Sequence, residues 1–241
     1  MKLINKNVNL LPEDKKATDI AIPITNVIKH GNIDVAIGRV IASILSKIYL
    51  TRNKVEKPSI VPIENSHKFT YKFINRINKD ITYDLAISFL EPHYIVKNKV
   101  NAKKKIAWIH TDYMSIDLDI KEGYKVWNSY DNIIAISEDC RSNFLKKFPS
   151  LKDKIVLVEN IISKDFLLEQ SELMDILGEI NKNDRESVKL LSIGRFSEAK
   201  NFDNIPEICK FILEKGIKIK WYIIGYGGDE NLIKHNIEKY E

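Results

Sequence analysis

Short apolar runs alternate with longer amphipathic segments along most of the chain. Runs of this kind, bounded by turn residues, are typical of buried strands in a parallel sheet. They occupy residues 84–90, 106–109, 131–136, 155–158, 189–193 and 219–224. Between residues 33 and 50, apolar side chains recur at i, i+3, i+4 and i+7, which predicts an amphipathic helix. Strands that alternate with helices predict an α/β fold whose parallel sheets are covered on both faces.

Four further stretches have weaker patterns. Residues 8–11 are apolar and predict a short strand. Residues 69–78 repeat apolar positions with a helical period and predict a helix. The five lysines between residues 97 and 105 predict a solvated connection. Ser137 precedes a helical pattern, and we expect its hydroxyl to cap that helix.

The region from residue 161 to residue 187 has mixed charge and no strand pattern. Because strand and helix patterns resume on either side, this region predicts a crossing between two domains. The sequence therefore predicts a first domain over residues 1–160 and a second domain over residues 161–241.

Composition narrows the class of protein. The chain has 241 residues, of which 44% are hydrophobic and 29% charged, which is typical of a globular protein with a sizeable core. Its two cysteines, Cys140 and Cys209, form no C-x-x-C motif, which disfavours a metal site or a disulfide framework and fits a reducing cytoplasm. No apolar run approaches the roughly 18 residues that span a bilayer, and the start lacks the apolar core of a signal peptide. We therefore expect a cytoplasmic protein.

Positive charge is concentrated in the front of the chain. Residues 1–110 hold 19 Lys and Arg against 9 Asp and Glu, whereas residues 111–241 hold 19 against 24. A basic half can rest on an anionic membrane surface, bind nucleic acid, or simply carry solvated lysines. The membrane surface ranks above nucleic acid, because the basic residues are not interleaved with aromatic residues in a binding motif.

The stretch KLLSIGRFSEAK, residues 189–200, combines features that suit phosphate. A predicted strand ends at Gly194, where the lack of a side chain lets backbone amides approach a ligand. Arg195 offers a planar fork of donors for phosphate oxygens, and Lys200 adds a second cation. Asp203 is predicted to cap the next helix, and Gly216 suits the position after its end. A strand, a glycine, two cations and a helix start are typical of a phosphate site in an α/β protein.

These residues carry a resemblance to a known family. GRFSEAKN resembles the G-R-x-x-x-x-K-N signature of retaining glycosyltransferases of family 4, which have the two-domain GT-B fold. The stretch IIGYGGDENL is similar to the second glycine turn of that family, with Gly225 and Gly227 as its counterparts. The resemblance implies that Gly194, Arg195 and Lys200 bind the donor diphosphate, and that Gly225 and Gly227 lie near the donor nucleotide.

The front half of the chain extends the resemblance. KKKIAWIHTDY looks like the stretch that carries a strand-end histidine in the acceptor domain of the family, and its counterpart here is His110. In many relatives this histidine faces the cleft near the transferred sugar, which makes His110 the candidate catalytic residue. Asp112 and Tyr113 follow it and could reach an acceptor hydroxyl, and the sequence does not choose between them. Asn160-Ile161 stands where relatives often have Asn-Gly, so the usual glycine turn is absent.

Two features of the family pattern do not occur in this chain. No glycine-rich loop follows a first strand, and the paired glutamates of the E-x7-E motif are missing. Glu230 and Glu238 have that spacing, but they fall in the helix that follows Gly228 and are a false match. The chain thus resembles the middle of the family, with both GT-B domains incomplete. An incomplete sheet leaves an exposed edge, so we expect this polypeptide to be poorly stable alone and inactive.

The resemblance implies transfer of a hexose from a nucleotide-diphosphate sugar to a glycan or lipid-linked acceptor, with retention, in bacterial surface polysaccharide synthesis. It implies no metal and no other cofactor, and a position in the cytoplasm or on the inner face of the membrane. One alternative is another GT-B enzyme, such as a sugar-nucleotide epimerase or a phosphorylase. The other is a non-catalytic chain that keeps a nucleotide-diphosphate site or pairs with another chain.

Overall fold

The chain folds into two compact units, Met1–Ile161 and Ile162–Glu241. The computed structural model describes residues 8–20, 22–173 and 186–240. Both units are built from helices and parallel strands, which confirms the predicted α/β class. Cys140 is buried and Cys209 half-buried, and both are free thiols.

The first unit contains seven α-helices and four strands within the described residues. Its helices are α1 (Lys15–Thr18), α2 (Ile24–Lys29), α3 (Ile33–Arg52), α4 (Val61–Thr70), α5 (Tyr94–Lys99), α6 (Ile120–Trp127) and α7 (Glu138–Lys147). Its strands are β1 (Tyr83–Ser88), β2 (Ala102–Ile109), β3 (Asn132–Ala135) and β4 (Ile155–Leu157). All pair in parallel in the order β1-β2-β3-β4, with Ile87 opposite Ile106 and Ala107 opposite Ile133.

The core of the first unit lies on one face of this sheet. Strand residues such as Ile109 and Ile133 pack there against Trp127 of α6 and Phe144 of α7. Right-handed crossovers between strands in sequential order place their helices on the same side, which explains the one-sided core. On the opposite face Ile87 remains 49% exposed. The prediction of sheets covered on both faces is therefore wrong at the edge strands of this sheet, whereas Ile134 of β3, on the same outer face, is buried.

The second unit contains α8 (Lys164–Ser171), β5 (Val188–Ile193), α9 (Ile205–Glu214), β6 (Ile219–Ile224) and α10 (Glu230–Tyr240). The strands β5 and β6 pair in parallel from Val188 opposite Ile219 to Ile193 opposite Ile224. Phe202, Ile205 and Ile233 form the core on one face, with Trp221 packed against them. On the other face Ile193 is 70% exposed. Gly216 has φ +78°, as expected after the end of α9.

Several predicted elements differ from the observed ones. Residues 8–11 form no strand. The helix expected over residues 69–78 instead begins at Val61, because Pro62 fits the first turn of a helix, where no amide is needed. The lysine-rich stretch 97–105 contains the end of α5 and the start of β2 rather than a connection only.

The entry into α9 also differs from the prediction. Asp203 lies in a 3-10 turn, Phe202–Asn204, and the N-cap of α9 is Asn204. A preceding 3-10 turn, Glu198–Lys200, ends at Asn201, whose φ of 55° places it in the left-handed region. Asparagine tolerates this conformation better than most residues, so Asn201 lets the chain reverse direction before the helix.

Candidate functional site

The two glycine turns of the second unit lie side by side. They follow the carboxyl ends of β5 and β6, which are neighbours in the sheet. The amide of Gly194 donates to the carbonyl of Ile224 at 3.0 Å, and the amide of Phe196 donates to Tyr226 at 2.9 Å. Phe196 and Gly227 also form an isolated parallel bridge. The pairing of the strands thus continues into the loops and joins the two motifs.

Glycine is required at these contacts because the backbones touch. A Cβ on Gly225 would lie 1.9 Å from the carbonyl oxygen of Gly194, which no side chain can accommodate. Gly227 has φ +156°, and a Cβ there would lie 2.2 Å from the carbonyl oxygen of Phe196. A Cβ on Gly194 would meet the Phe202 ring at 3.2 Å. The glycines therefore allow two loops to pack directly at the sheet edge.

Arg195 and Lys200 are both exposed on the loop after β5. Within the part of the chain that the structure describes, neither cation forms an ion pair, whereas Lys218 pairs with Glu186 at 2.5 Å. The exposed carboxylate of Glu198 lies between them in sequence, and its negative charge reduces the positive charge of the loop. Two cations without ion-pair partners, next to a glycine, can bind an anion with several oxygens, such as a diphosphate.

His110 lies in the first unit, directly after β2 at the carboxyl edge of its sheet. Its ring packs against Phe89 with centroids 4.6 Å apart. Its Nε2 is buried and has no hydrogen-bond partner among the described residues. The histidine therefore has one ring nitrogen that is not used in holding the fold.

Asp112 and Tyr113, the two other residues singled out after this strand, have structural contacts. Tyr113 is 1% exposed, and its hydroxyl donates to Glu91 Oε1 at 2.8 Å. Asp112 Oδ1 accepts from the Met114 amide and from Asn143 Nδ2, both at 2.9 Å. Tyr113 is thus part of the core and is not accessible to an acceptor, while Asp112 organises the turn after β2.

The structure adds Glu91 and His93, which sequence reasoning missed. Both follow β1, at the sheet edge where His110 follows β2. His93 is 2% exposed, and its Nδ1 lies 2.8 Å from Ser88 Oγ. Burial, with a smaller contribution from nearby His110, lowers the pKa of His93 to about 3, so the ring is neutral. Burial raises the pKa of Glu91, and the hydrogen bond from Tyr113 lowers it by less. The net pKa of Glu91 is about 7.

A second pair of perturbed groups lies on α4. Burial, followed by the charge of Glu91, raises the pKa of Glu64 to about 8. Burial lowers the pKa of His67 to about 4. The sequence signal for the cluster of Glu91 and His93 was the polar stretch LEPH, residues 90–93, which follows a predicted strand. Their burial depends on tertiary packing, including that of α4 against α3, which the sequence does not show.

Within residues 8–20, 22–173 and 186–240, no group of three His, Cys, Asp or Glu side chains could hold a metal ion. No helix in these same ranges is long and apolar enough to cross a membrane.

Comparisons with known proteins do not assign this chain to a family. No protein-family model matches the chain. No curated protein matches it. A crystal structure of a mutant of S. aureus TarM in complex with fondaparinux, alpha-GlcNAc-glycerol and UDP is similar at 18% identity and a TM-score of 0.40. The match covers 59% of this chain, which spans 27% of that one. A likeness this distant carries no argument about function, which rests on the residues described above.

Proposed function

We propose that this chain belongs to a glycosyltransferase that moves a sugar from a nucleotide-diphosphate sugar to a glycan or lipid-linked acceptor, with retention at the anomeric carbon. The observation that supports the proposal most directly is the pair of packed loops after β5 and β6. Arg195 and Lys200 belong to the loop after β5, and neither forms an ion pair within the described residues, while that loop touches the other at Gly194 and Gly225. The same residues carry the G-R-x-x-x-x-K-N resemblance.

The chemistry assigned to these cations follows from the charge that develops during transfer. As the bond between sugar and diphosphate breaks, negative charge grows on the leaving diphosphate. Arg195 can bind two oxygens with its planar fork, and Lys200 adds a point charge. Both then stabilise the transition state more than the ground state, which lowers the barrier. In the proposed reaction these two cations take the role that a metal ion fills in other transferases, so it needs no metal.

His110 is the proposed catalytic residue on the acceptor side. Its Nε2 is buried and without a partner among the described residues, so the proposed contact with the transferred sugar or the acceptor hydroxyl would break no hydrogen bond that holds the fold. The ring contact with Phe89 limits the orientations of the imidazole. A fixed ring loses little further entropy when it contacts a substrate.

The acceptor is proposed to be a growing bacterial surface glycan, free or lipid-linked. A lipid-linked acceptor requires the protein to work at the inner face of the membrane. The excess of Lys and Arg in residues 1–110 is compatible with an anionic membrane surface.

The first test is thermal-shift binding of nucleoside diphosphates and their sugar derivatives to the purified chain. We expect one base to stabilise it, and Arg195→Ala/Lys200→Ala to abolish the shift. Lys210→Ala/Lys239→Ala is the matched control, because it removes two exposed cations from the same unit outside the loops. A shift that survives the first double variant, or one that both variants lose equally, contradicts the assignment of the loop.

A second assay separates transfer from the other activities. Incubation of the chain with the sugar nucleotide that binds, with and without a glycan acceptor, is followed by chromatography of the sugar products. Acceptor-dependent release of the nucleoside diphosphate supports transfer and contradicts the expectation that this chain is inactive alone, and His110→Ala is then expected to reduce the release. Conversion of the sugar nucleotide without acceptor indicates an epimerase, and binding without any turnover indicates a non-catalytic chain.

A further inference from the structure

The long helix α3 presents its large apolar side chains to solvent. The buried residues of α3 are Val35, Ala36, Gly38, Ala42 and Ser46, most of them small. They allow close packing on α4: a Cβ on Gly38 would lie 3.0 Å from the carbonyl oxygen of Phe69. Asn65 of α4 donates to Ser46 Oγ at 3.0 Å. The contact with the rest of the unit therefore uses the small-residue face.

The opposite face forms what we call the isoleucine stripe. Its members are 41–61% exposed and recur every three or four residues: Ile33, Ile37, Val40, Ile41, Ile44, Leu45 and Ile48. From Ile33 to Ile48 of α3 the stripe is about 23 Å long. Ile28 of α2, 55% exposed, extends it beyond the start of α3. A continuous exposed apolar surface of this size marks an interaction site.

The charges around the isoleucine stripe are almost all positive. From residue 24 to residue 54 there are five Lys and Arg and a single acid, Asp34. Asp34 is already paired with Lys16 at 2.5 Å, and Arg39 points inward to the carbonyls of Asp19 and Ile22. The remaining cations are exposed and have no ion pair within the described residues: Lys29, Lys47, Arg52 and Lys54.

These cations flank the stripe at both ends. Lys29 follows Ile28 directly, Lys47 lies one turn after Ile44, and Arg52 lies one turn after Ile48. A helix with an exposed apolar face and basic residues at its border has the pattern of interfacial helices that lie in the headgroup region of an anionic bilayer. A second copy of the chain would bring the same positive charges together, which disfavours self-association through this face.

We propose that α3 is a membrane-docking helix, which inserts the isoleucine stripe into the surface of an anionic lipid bilayer while Lys29, Lys47, Arg52 and Lys54 contact lipid phosphates. The assignment concerns a surface other than the loops after β5 and β6, and it stands whether or not the chain transfers sugar. The partner is the lipid surface itself, recognised by its apolar interior and its negative headgroups.

The test is co-sedimentation of the full chain with vesicles of phosphatidylcholine alone or mixed with phosphatidylglycerol. We expect binding only to the anionic vesicles and a marked loss of binding when the salt concentration is raised. Ile37→Gln/Ile44→Gln should abolish binding. The matched control is Leu167→Gln/Phe211→Gln, which replaces two equally exposed apolar side chains on α8 and α9.

Three further variants keep the test decisive if the glutamine variant is poorly folded. Lys47→Glu/Arg52→Glu keeps the apolar side chains and is expected to weaken binding about thirtyfold or more. Lys121→Glu/Lys152→Glu makes the same change of charge at two exposed lysines away from α3 and should bind nearly as wild type. Ile44→Trp should show a blue shift of its fluorescence on anionic vesicles, because the indole enters an apolar environment.

Three results would overturn the proposal. One is the absence of binding to anionic vesicles, and another is equal loss of binding in the stripe variants and their controls. The third is a dimer in sedimentation velocity that Ile37→Gln/Ile44→Gln dissociates, without any vesicle binding. In that case a second copy of the chain covers the stripe.

Discussion

Gly225 and Gly194 are in backbone contact: a Cβ on Gly225 would lie 1.9 Å from the Gly194 carbonyl oxygen. The two residues are 31 positions apart and belong to the two separate glycine motifs of the second unit. Their contact exists because β5 and β6 are adjacent and in register to their last residues, Ile193 and Ile224. The candidate diphosphate site is therefore a consequence of strand pairing as much as of the motifs themselves.

Gly225→Ala is expected to destabilise the second unit by about 1–3 kcal/mol, because the methyl group forces the two loops apart. Urea unfolding, together with hydrogen exchange of the amides of β5 and β6, measures the loss. Gly228→Ala is the matched control, since a Cβ at Gly228 meets nothing within 4 Å. If the two variants are equally stable, the loops do not pack as described.

Tyr113→Phe removes the hydroxyl that joins two other side chains in the core. That hydroxyl donates to Glu91 at 2.8 Å and accepts from Trp127 Nε1 at 3.0 Å. Leaving buried partners unsatisfied costs about 1–3 kcal/mol, and we expect a loss of that size in urea unfolding. Tyr124→Phe, at an exposed tyrosine of α6, should change stability by no more than about 0.5 kcal/mol.

Glu91 is expected to make stability fall as the pH rises. Its pKa of about 7 in the folded chain exceeds the ordinary 4.5, so folding favours the protonated carboxyl. The stabilising contribution is complete below pH 4.5 and is lost as the pH rises through about 7. Glu91→Gln keeps an acceptor for Tyr113 but does not titrate.

The measurement is urea unfolding of wild type and Glu91→Gln at pH 5 and at pH 8. Between these two values the variant should lose less stability than wild type, by on the order of 2 kcal/mol. A residual fall with pH remains in the variant, because the pKa of Glu64 is raised to about 8. Glu159→Gln, at an exposed carboxylate, should follow wild type, and identical slopes in all three chains would contradict the burial of Glu91.

Ser137→Ala is expected to cost about 1 kcal/mol in unfolding free energy, because it removes the N-cap of α7. Its hydroxyl accepts from the Cys140 amide at 3.1 Å. Thermal unfolding by circular dichroism measures the change. Ser142→Ala, at an exposed position inside the same helix, should be neutral or slightly stabilising.

Local features were predictable from the sequence. The cap at Ser137, the bounds of β6 and the glycine after α9 each depend on residues close together in the chain. The predictions failed where distant packing decides. The helix at Val61–Thr70 begins eight residues before the predicted one, because Pro62 fits its first turn. Asp203 does not cap α9, because two 3-10 turns that leave no sequence signal precede that helix.

By itself, the sequence determined the alternation of strands and helices, the parallel α/β class, and the positions of Gly194, Arg195 and Lys200 after a strand. These follow from periodicity and from backbone preferences, which act over a few residues. Only the tertiary structure decided that Gly225 touches Gly194, that Tyr113 is buried on Glu91, and that α3 turns its isoleucines outward. These three features depend on contacts between residues that are far apart in the sequence. For α3 the reason is close packing, since the small residues around Gly38 approach α4 more closely than large side chains would allow.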